Sequence, residues 1–225
     1  MGVKEAGSLQ EFRTLLREDP RFLDQLRSRS LGLRIESAVK AKKFPNVMVL
    51  IGESAAESRL IYGSDQILAG NVHKGNIGPA DKDLMETLMP SVQTTMNWLQ
   101  RIGFRGLAGL DFAVDPQTGK FWLLEINGRV NGNNGAGFLI HGLPDAIRPK
   151  AWVASNAIKV PVGTTHEEYV RFLAEKRLAF DAASGIGVFP VNSLTGVKGL
   201  MQVGIGAGSM DEANRFLAGA AMLVR

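Results

Sequence analysis

The 225-residue chain is predicted to be α+β, an antiparallel sheet flanked by helices, and three observations carry that expectation. Two strand-like runs, Gly106 to Asp115 and Lys120 to Asn127, flank the turn-rich Pro116-Gln117-Thr118-Gly119 and read as a β-hairpin. Three capping-box signatures, Ser8 with Glu11, Thr165 with Glu168 and Ser209 with Glu212, each open an apolar repeat at helical spacing. The composition is globular, 45% hydrophobic and 21% charged, and at about 150 residues per domain the length allows one domain and part of another.

In chain order, the Ser8 cap predicts a helix carrying Phe12, Leu15 and Leu16. Asp19-Pro20 ends it and starts a second, with Pro in the first turn and Phe22, Leu23 and Leu26 on its apolar face. The β-branched run Val47 to Ile51 reads as a strand, followed by short strands at Arg59 to Tyr62 and Gln66 to Ala69. Asp81 caps a long helix reaching about Ile102, with Leu84, Leu88, Val92, Met96 and Leu99 on one face, Pro90 as a kink and Gly103 beyond the end. After the hairpin, Gly128 to Gly137 reads as a Gly- and Asn-rich connector. Helices are then expected at Asp145 to Asn156 and Thr165 to Ala179, strands at Ile186 to Val191 and Leu200 to Ile205, and a last helix after Ser209. Gly204-Ile205-Gly206-Ala207-Gly208-Ser209 reads as a turn into that helix. Its glycine spacing does not fit the dinucleotide-binding fingerprint, and no acidic residue about 20 positions on is available.

Several function classes are excluded. With no cysteine there is no disulfide, thiolate nucleophile or Cys-based metal site, and the three histidines, His73, His141 and His166, lack zinc-binding spacing. No apolar run is long enough to span a membrane, and the first residues do not resemble a signal peptide, so a cytoplasmic protein without a membrane partner is expected. The 26 basic and 22 acidic residues leave a net charge of +4, with the excess in Arg13 to Arg34 and in Lys40, Lys42 and Lys43. Without an aromatic RNA-binding strand or a helix-turn-helix pattern, a phosphorylated small molecule suits this surplus better than nucleic acid.

The hairpin carries the chemistry. If its loop is Pro116 to Lys120, opposed residue numbers sum to 236, so Asp111 faces Glu125 and Asn127 lies two residues on, on the same side. Leu110, Phe112, Val114, Trp122, Leu124 and Ile126 then form the core side. Opposed carboxylates repel unless they face solvent, as in an ordinary hairpin, or a cation neutralises them. Oxygen donors without His or Cys favour Mg²⁺ or Mn²⁺.

Leu124-Glu125-Ile126-Asn127-Gly128-Arg129, preceded by Gly-Leu-Asp-Phe and followed by a Gly-rich tract, resembles the carboxy-terminal half of the ATP-grasp domain. That superfamily includes D-alanine:D-alanine ligase, biotin carboxylase and carboxylate-amine peptide ligases. The resemblance implies Asp111, Glu125 and Asn127 as ligands of the magnesium ions that bridge the ATP phosphates, and Arg129 as the basic residue at the acyl phosphate. Asn46 to Pro79, including His73-Lys74-Gly75-Asn76-Ile77-Gly78-Pro79, is similar to the central strands and substrate-side loop, with a likeness to pheganomycin-type peptide ligases. It implies that His73 and Lys74 meet phosphate or substrate carboxylate, a solvated basic turn being the alternative. Arg34-Ile35-Glu36 resembles the end of the lid, which implies Glu36 near the ribose, and Val3-Lys4-Glu5-Ala6-Gly7-Ser8 resembles a lid strand and loop, which implies Lys4 at the phosphates. The Gly128 to Gly137 tract, with Asn131, Asn133 and Asn134, is expected to offer backbone N–H groups to an anionic substrate, a flexible connector being the alternative.

The implied activity is ATP- and Mg²⁺-dependent ligation of a small-molecule carboxylate to an amine, an amino acid or peptide, through an acyl phosphate. The expected organisation is a partial lid over residues 1–35, a metal- and nucleotide-binding subdomain over 36–157 and a carboxy-terminal α/β extension over 158–225. The chain looks like a truncated ligase lacking the pre-domain and most of the lid, so a non-catalytic ATP-grasp-like binding module is the alternative. A homodimer is compatible with the sequence.

Overall fold

The computed structural model describes residues 6–28, 39, 41–70, 72–115, 117–129, 134–192 and 198–223. Lys4, Glu36 and Asn131 lie outside the described residues. The chain divides into two compact units, Met1–Lys40 and Ala41–Arg225.

The first unit holds α1 (Leu9–Glu18) and α2 (Pro20–Arg27), separated at Asp19 as expected. Ser8 Oγ accepts the Glu11 backbone N–H at 3.1 Å, and the Glu11 carboxylate accepts the Gly7 N–H at 2.7 Å. Two amide groups without helical partners are thereby satisfied.

The second unit is built on β1 (Pro45–Ile51), β2 (Arg59–Ala69), β3 (Val72–Gly78), β4 (Gly106–Val114), β5 (Phe121–Asn127), β6 (Ala151–Lys159), β7 (Gly187–Asn192) and β8 (Leu200–Ala207). They form one sheet in the order β5-β4-β1-β2-β3-β6-β8-β7, with every neighbouring pair antiparallel. Its helices are α3 (Lys82–Arg101), α4 (Asn134–Gly142), α5 (His166–Glu175) and α6 (Met210–Ala220).

Strand alternation separates the two faces. On one face, Val47, Val49, Ala108, Leu110 and Phe112 pack against Leu88, Val92, Met96 and Leu99 of α3. Further along it, Val153, Ile158, Met201, Val203 and Ile205 meet Tyr169 and Leu173 of α5 and Ala213 and Ala220 of α6. Tyr169 Oη donates to the Ala220 carbonyl at 2.9 Å, which ties α5 to α6. On the opposite face, α4 presses Ala136 and Ile140 onto Met48, Tyr62, Trp152 and Ala154.

Several elements differ from expectation. Arg59 to Ala69 is one strand rather than two, with pairing irregularities near Met48/Val49 and Ile67/Leu68 absorbing its bends. His73 to Gly78 is part of strand β3, not a loop. The helix expected at Asp145 to Asn156 is a single 3₁₀ turn, Asp145–Ile147, followed by β6. Both faces of β6 are covered, and a strand with apolar residues on both sides cannot be told from a buried helix by periodicity. Part of the tract read as a connector is α4, whose glycines serve packing: a Cβ on Gly137 would stand 2.4 Å from the Tyr62 ring. Gly204 and Gly206 lie within β8 rather than in a turn, and a Cβ on Gly204 would stand 2.2 Å from the Phe189 ring. The helix α3 continues through Pro90.

Candidate functional site

Where α4 does not cover its face, the sheet carries a row of polar side chains. β4 alternates Leu110, Asp111, Phe112, with both neighbours of Asp111 fully buried in the core on the other side. Asp111 is paired with Glu125 and Gly109 with Asn127, so the two carboxylates are opposed and Asn127 follows on the same face.

The remainder of the hairpin departs from the simple register. Val114 pairs with Phe121 and Phe112 with Leu123, so the connection runs from Asp115 to Lys120 and the pairing slips by one between Asp111 and Phe112. The longer turn is held by the Asp115 carboxylate, which accepts from the Gln117 N–H at 2.9 Å and from Thr118 Oγ1 at 2.8 Å. These bonds hold its carboxyl below the usual range. The bulge at Leu124 returns Glu125 to the face of Asp111. Consequently Trp122 and Leu124 do not lie in the core as predicted: Leu124 is 52% exposed, and the Phe121 ring packs on Phe112 at a centroid distance of 6.2 Å.

Asp111 is gripped by amides from three strands. Asn46 of β1 donates to Oδ1 at 2.6 Å, Gln66 of β2 donates to Oδ1 at 2.9 Å, and Asn127 of β5 donates to Oδ2 at 2.8 Å. Asn46 and Asn127 are buried. Burial pushes the Asp111 carboxyl above the usual range, and the Glu125 charge adds to this; the Asn46 and Asn127 hydrogen bonds and the field of His73 work against it. The net upward shift means that the site stabilises the negative charge incompletely.

Alongside, on β3, His73 Nε2 bonds Asn76 Oδ1 at 2.8 Å while Asn76 Nδ2 donates to Ser64 Oγ at 2.8 Å. This fixes His73 on the side from which its charge reaches Asp111. Lys74 is the extra residue of a bulge opposite Ile67/Leu68. Arg129 is exposed just past β5, its backbone N–H bonded to the Asn127 carbonyl at 2.8 Å.

The donors fit one kind of metal. Among the described residues no group of three or more His, Cys, Asp or Glu side chains converges on a point, which argues against a self-sufficient protein cage. Two carboxylates and one amide oxygen suit a hard divalent ion whose other ligands are water and phosphate. The Nδ2 of Asn127 is committed to Asp111, so its Oδ1 is the atom left to ligate.

The structure therefore brings together Asp111, Glu125 and Asn127, with His73 near them. Asn46, Gln66, Ser64 and Asn76 complete the cluster and were not foreseen, because their partners are set by strand order: Gln66 meets a residue 45 positions away and Asn46 one 65 away. A faint signal existed in Asn46, a polar residue opening the apolar run Val47 to Ile51.

No family model and no curated protein matches the chain. Solved structures do. It is similar to N5-carboxyaminoimidazole ribonucleotide synthetase in its ADP complex, with 15% identity and a TM-score of 0.54 over 82% of this chain and 50% of that one. The biotin carboxylase domain of a single-chain bacterial carboxylase matches with 15% identity and a TM-score of 0.58 over 98% of this chain and 58% of that one. The N5-carboxyaminoimidazole ribonucleotide synthetase of Thermus thermophilus matches with 14% identity and a TM-score of 0.60 over 96% of this chain and 66% of that one. The chain thus spans about half to two thirds of these proteins. Likeness at such low identity shows the fold alone, which is the ATP-grasp fold of these neighbours. Among the described residues, no helix is long and apolar enough to cross a membrane.

Proposed function

We propose that the chain supplies the metal-bearing, phosphate-positioning part of an ATP- and Mg²⁺-dependent carboxylate-amine ligase of the peptide-ligase type, acting in the cytoplasm. The observation that carries this reading is the opposition of Asp111 and Glu125 on adjacent strands, with Asn127 bonded to Asp111 on the same face. Without a cation this arrangement sets a half-buried carboxylate against a second negative charge.

In the proposed reaction a substrate carboxylate attacks the γ-phosphorus of ATP and ADP leaves. The amine then attacks the acyl carbon, phosphate departs with the C–O bonding pair, and the amine loses a proton. Phosphoryl transfer of this kind requires positioning and neutralisation of negative charge rather than a covalent nucleophile. Asp111, Glu125 and Asn127 would hold Mg²⁺, which would supply that neutralisation. Arg129, exposed two residues beyond Asn127, clamps the acyl phosphate with its planar, always charged guanidinium. Lys74 adds positive charge on the substrate side, and His73, oriented by Asn76, meets phosphate or substrate carboxylate there. Lys4, Glu36 and the backbone at Asn131 take the roles at the phosphates, ribose and anionic substrate that the family resemblance assigns.

Isothermal titration with MgADP tests this reading on the parent chain and an Asp111→Asn, Glu125→Gln double variant. The expected result is metal-dependent binding in the parent and its loss in the double variant. Absence of metal-dependent binding in the parent contradicts the reading. Binding without ADP release from MgATP, across a panel of amino acids and short peptides, identifies a binding module instead of an enzyme.

A further inference from the structure

Resting on the metal reading above, we propose that Gln66 and Asn46 are positioning residues that make Asp111 a one-oxygen ligand, and that this restriction selects a small octahedral cation, Mg²⁺ or Mn²⁺, against Ca²⁺. A carboxylate oxygen offers two lone-pair directions. Both directions of Asp111 Oδ1 are used, by the Asn46 amide at 2.6 Å and the Gln66 amide at 2.9 Å. On Oδ2 the Asn127 amide takes one direction at 2.8 Å, which leaves a single lone pair among the bonds to described residues, on the face that the paired Glu125 shares.

The grip is stiff because its three donors come from three different strands, β1, β2 and β5, and two of them are buried. Rotating the carboxylate to present both oxygens breaks bonds to all three at once. Ca²⁺ takes six to eight oxygens and commonly a bidentate carboxylate, whereas Mg²⁺ demands near-ideal octahedral geometry and accepts one oxygen per carboxylate. Partners that hold a metal-ligating carboxylate contribute about 10–100-fold to metal affinity. Gln66 acts on the ion only through Asp111.

A purely structural role for these amides, solvating a half-buried carboxylate, predicts something different. Loss of Gln66 then lowers thermal stability without changing which ion binds.

Mn²⁺ titrations of the full chain with ADP, read by the electron paramagnetic resonance of free Mn²⁺ and repeated with Ca²⁺ as competitor, separate the two roles. The variants are Gln66→Met, which keeps the shape without the donor, and Asn46→Ala, which frees the same oxygen from the other side should Gln66→Met fail to fold. The expected outcome is an affinity for Mn²⁺ weaker by about 10–100-fold together with a Ca²⁺/Mn²⁺ affinity ratio shifted toward Ca²⁺. An unchanged ratio in a folded variant, with Mn²⁺ still bound by the parent, overturns the positioning role and leaves the metal reading intact. No Mn²⁺ binding by the parent overturns both.

Discussion

The two faces of β1 and β4 carry opposite chemistry, although they are made of alternate residues of the same strands. Val47, Val49, Leu110 and Phe112 face α3 and are fully buried among apolar neighbours. Asn46 and Asp111, one position away on each strand, belong to a polar network with Gln66 and Asn127. Apolar burial on one side supplies the stability that lets the other side hold opposed carboxylates. In this fold the work of stability and the work of binding are divided by side-chain parity, and substitutions one residue apart should separate them.

The largest expected effect is on the apolar side. Phe112→Ala removes a fully buried ring and should cost about 3–5 kcal/mol, a fall in Tm on the order of 10 °C in a thermal melt. Asp111→Asn, its neighbour, should lose metal-dependent nucleotide binding while costing less in the melt than Phe112→Ala, about 1–3 kcal/mol for the amide donor it sets against Asn46, Gln66 or Asn127. A melting loss at Asp111 as large as that at Phe112 would break the comparison.

Next comes Arg129. Arg129→Ala should leave MgADP affinity nearly unchanged and lower the rate of ADP release by about 10²–10³-fold, the usual cost of removing one donor to a developing charge. Equal losses in binding and rate would place Arg129 in the nucleotide cradle instead.

Asp65 tests the apolar face through pH, with Asp115 and Asp181 as counterexamples of opposite sign. Asp65 lies opposite Ile77 on the apolar side; one of its oxygens is buried with no hydrogen-bond partner among the described residues, and burial raises its carboxyl, with Lys43 opposing and Asp81 adding. A raised carboxyl is protonated more readily in the folded than in the unfolded chain, so stability falls as pH rises above the ordinary Asp value of about 4. Melts across that range should slope downward with pH, and Asp65→Asn should flatten the slope. Asp115 and Asp181 behave oppositely: backbone N–H groups of Gln117 and Ala183 lower their carboxyls, so their contribution is present above the ordinary range and lost on acidification. A melt unaffected by Asp65→Asn at all pH values removes Asp65 from this account.

The smallest effect is local. Thr165 Oγ1 accepts the Glu168 N–H at 3.1 Å while the Glu168 carboxylate accepts the Thr165 N–H at 2.8 Å, capping α5 far along the sheet from the site. Thr165→Ala should cost about 1 kcal/mol in denaturant unfolding and leave MgADP binding unchanged.

What could be read from the sequence was what is local. The capping boxes of Ser8, Thr165 and Ser209 each place a helix N-terminus correctly, because a cap is a three-residue interaction. The opposition of Asp111 to Glu125 was legible because a hairpin pairs near neighbours. Its register was right at the site for an incomplete reason, since a turn one residue longer is compensated by a bulge at Leu124. The strand Ala151–Lys159 and the helix Asn134–Gly142 were missed, as their structure is imposed by distant partners that overrule local propensity. For the same reason Asn46 and Gln66, which hold Asp111, carried almost no local signal.

The central claim is that the polar face of β4 and β5 is a metal-nucleotide site. A crystal of the chain grown with MnADP and measured for the anomalous signal of manganese tests it most directly. The account predicts a peak coordinated by Asp111 Oδ2, a Glu125 oxygen and Asn127 Oδ1, at roughly 2.0–2.3 Å from each, with phosphate oxygens completing the shell. Ordered ADP with the manganese peak elsewhere, or no peak between Asp111 and Glu125 at saturating MnADP, would contradict it.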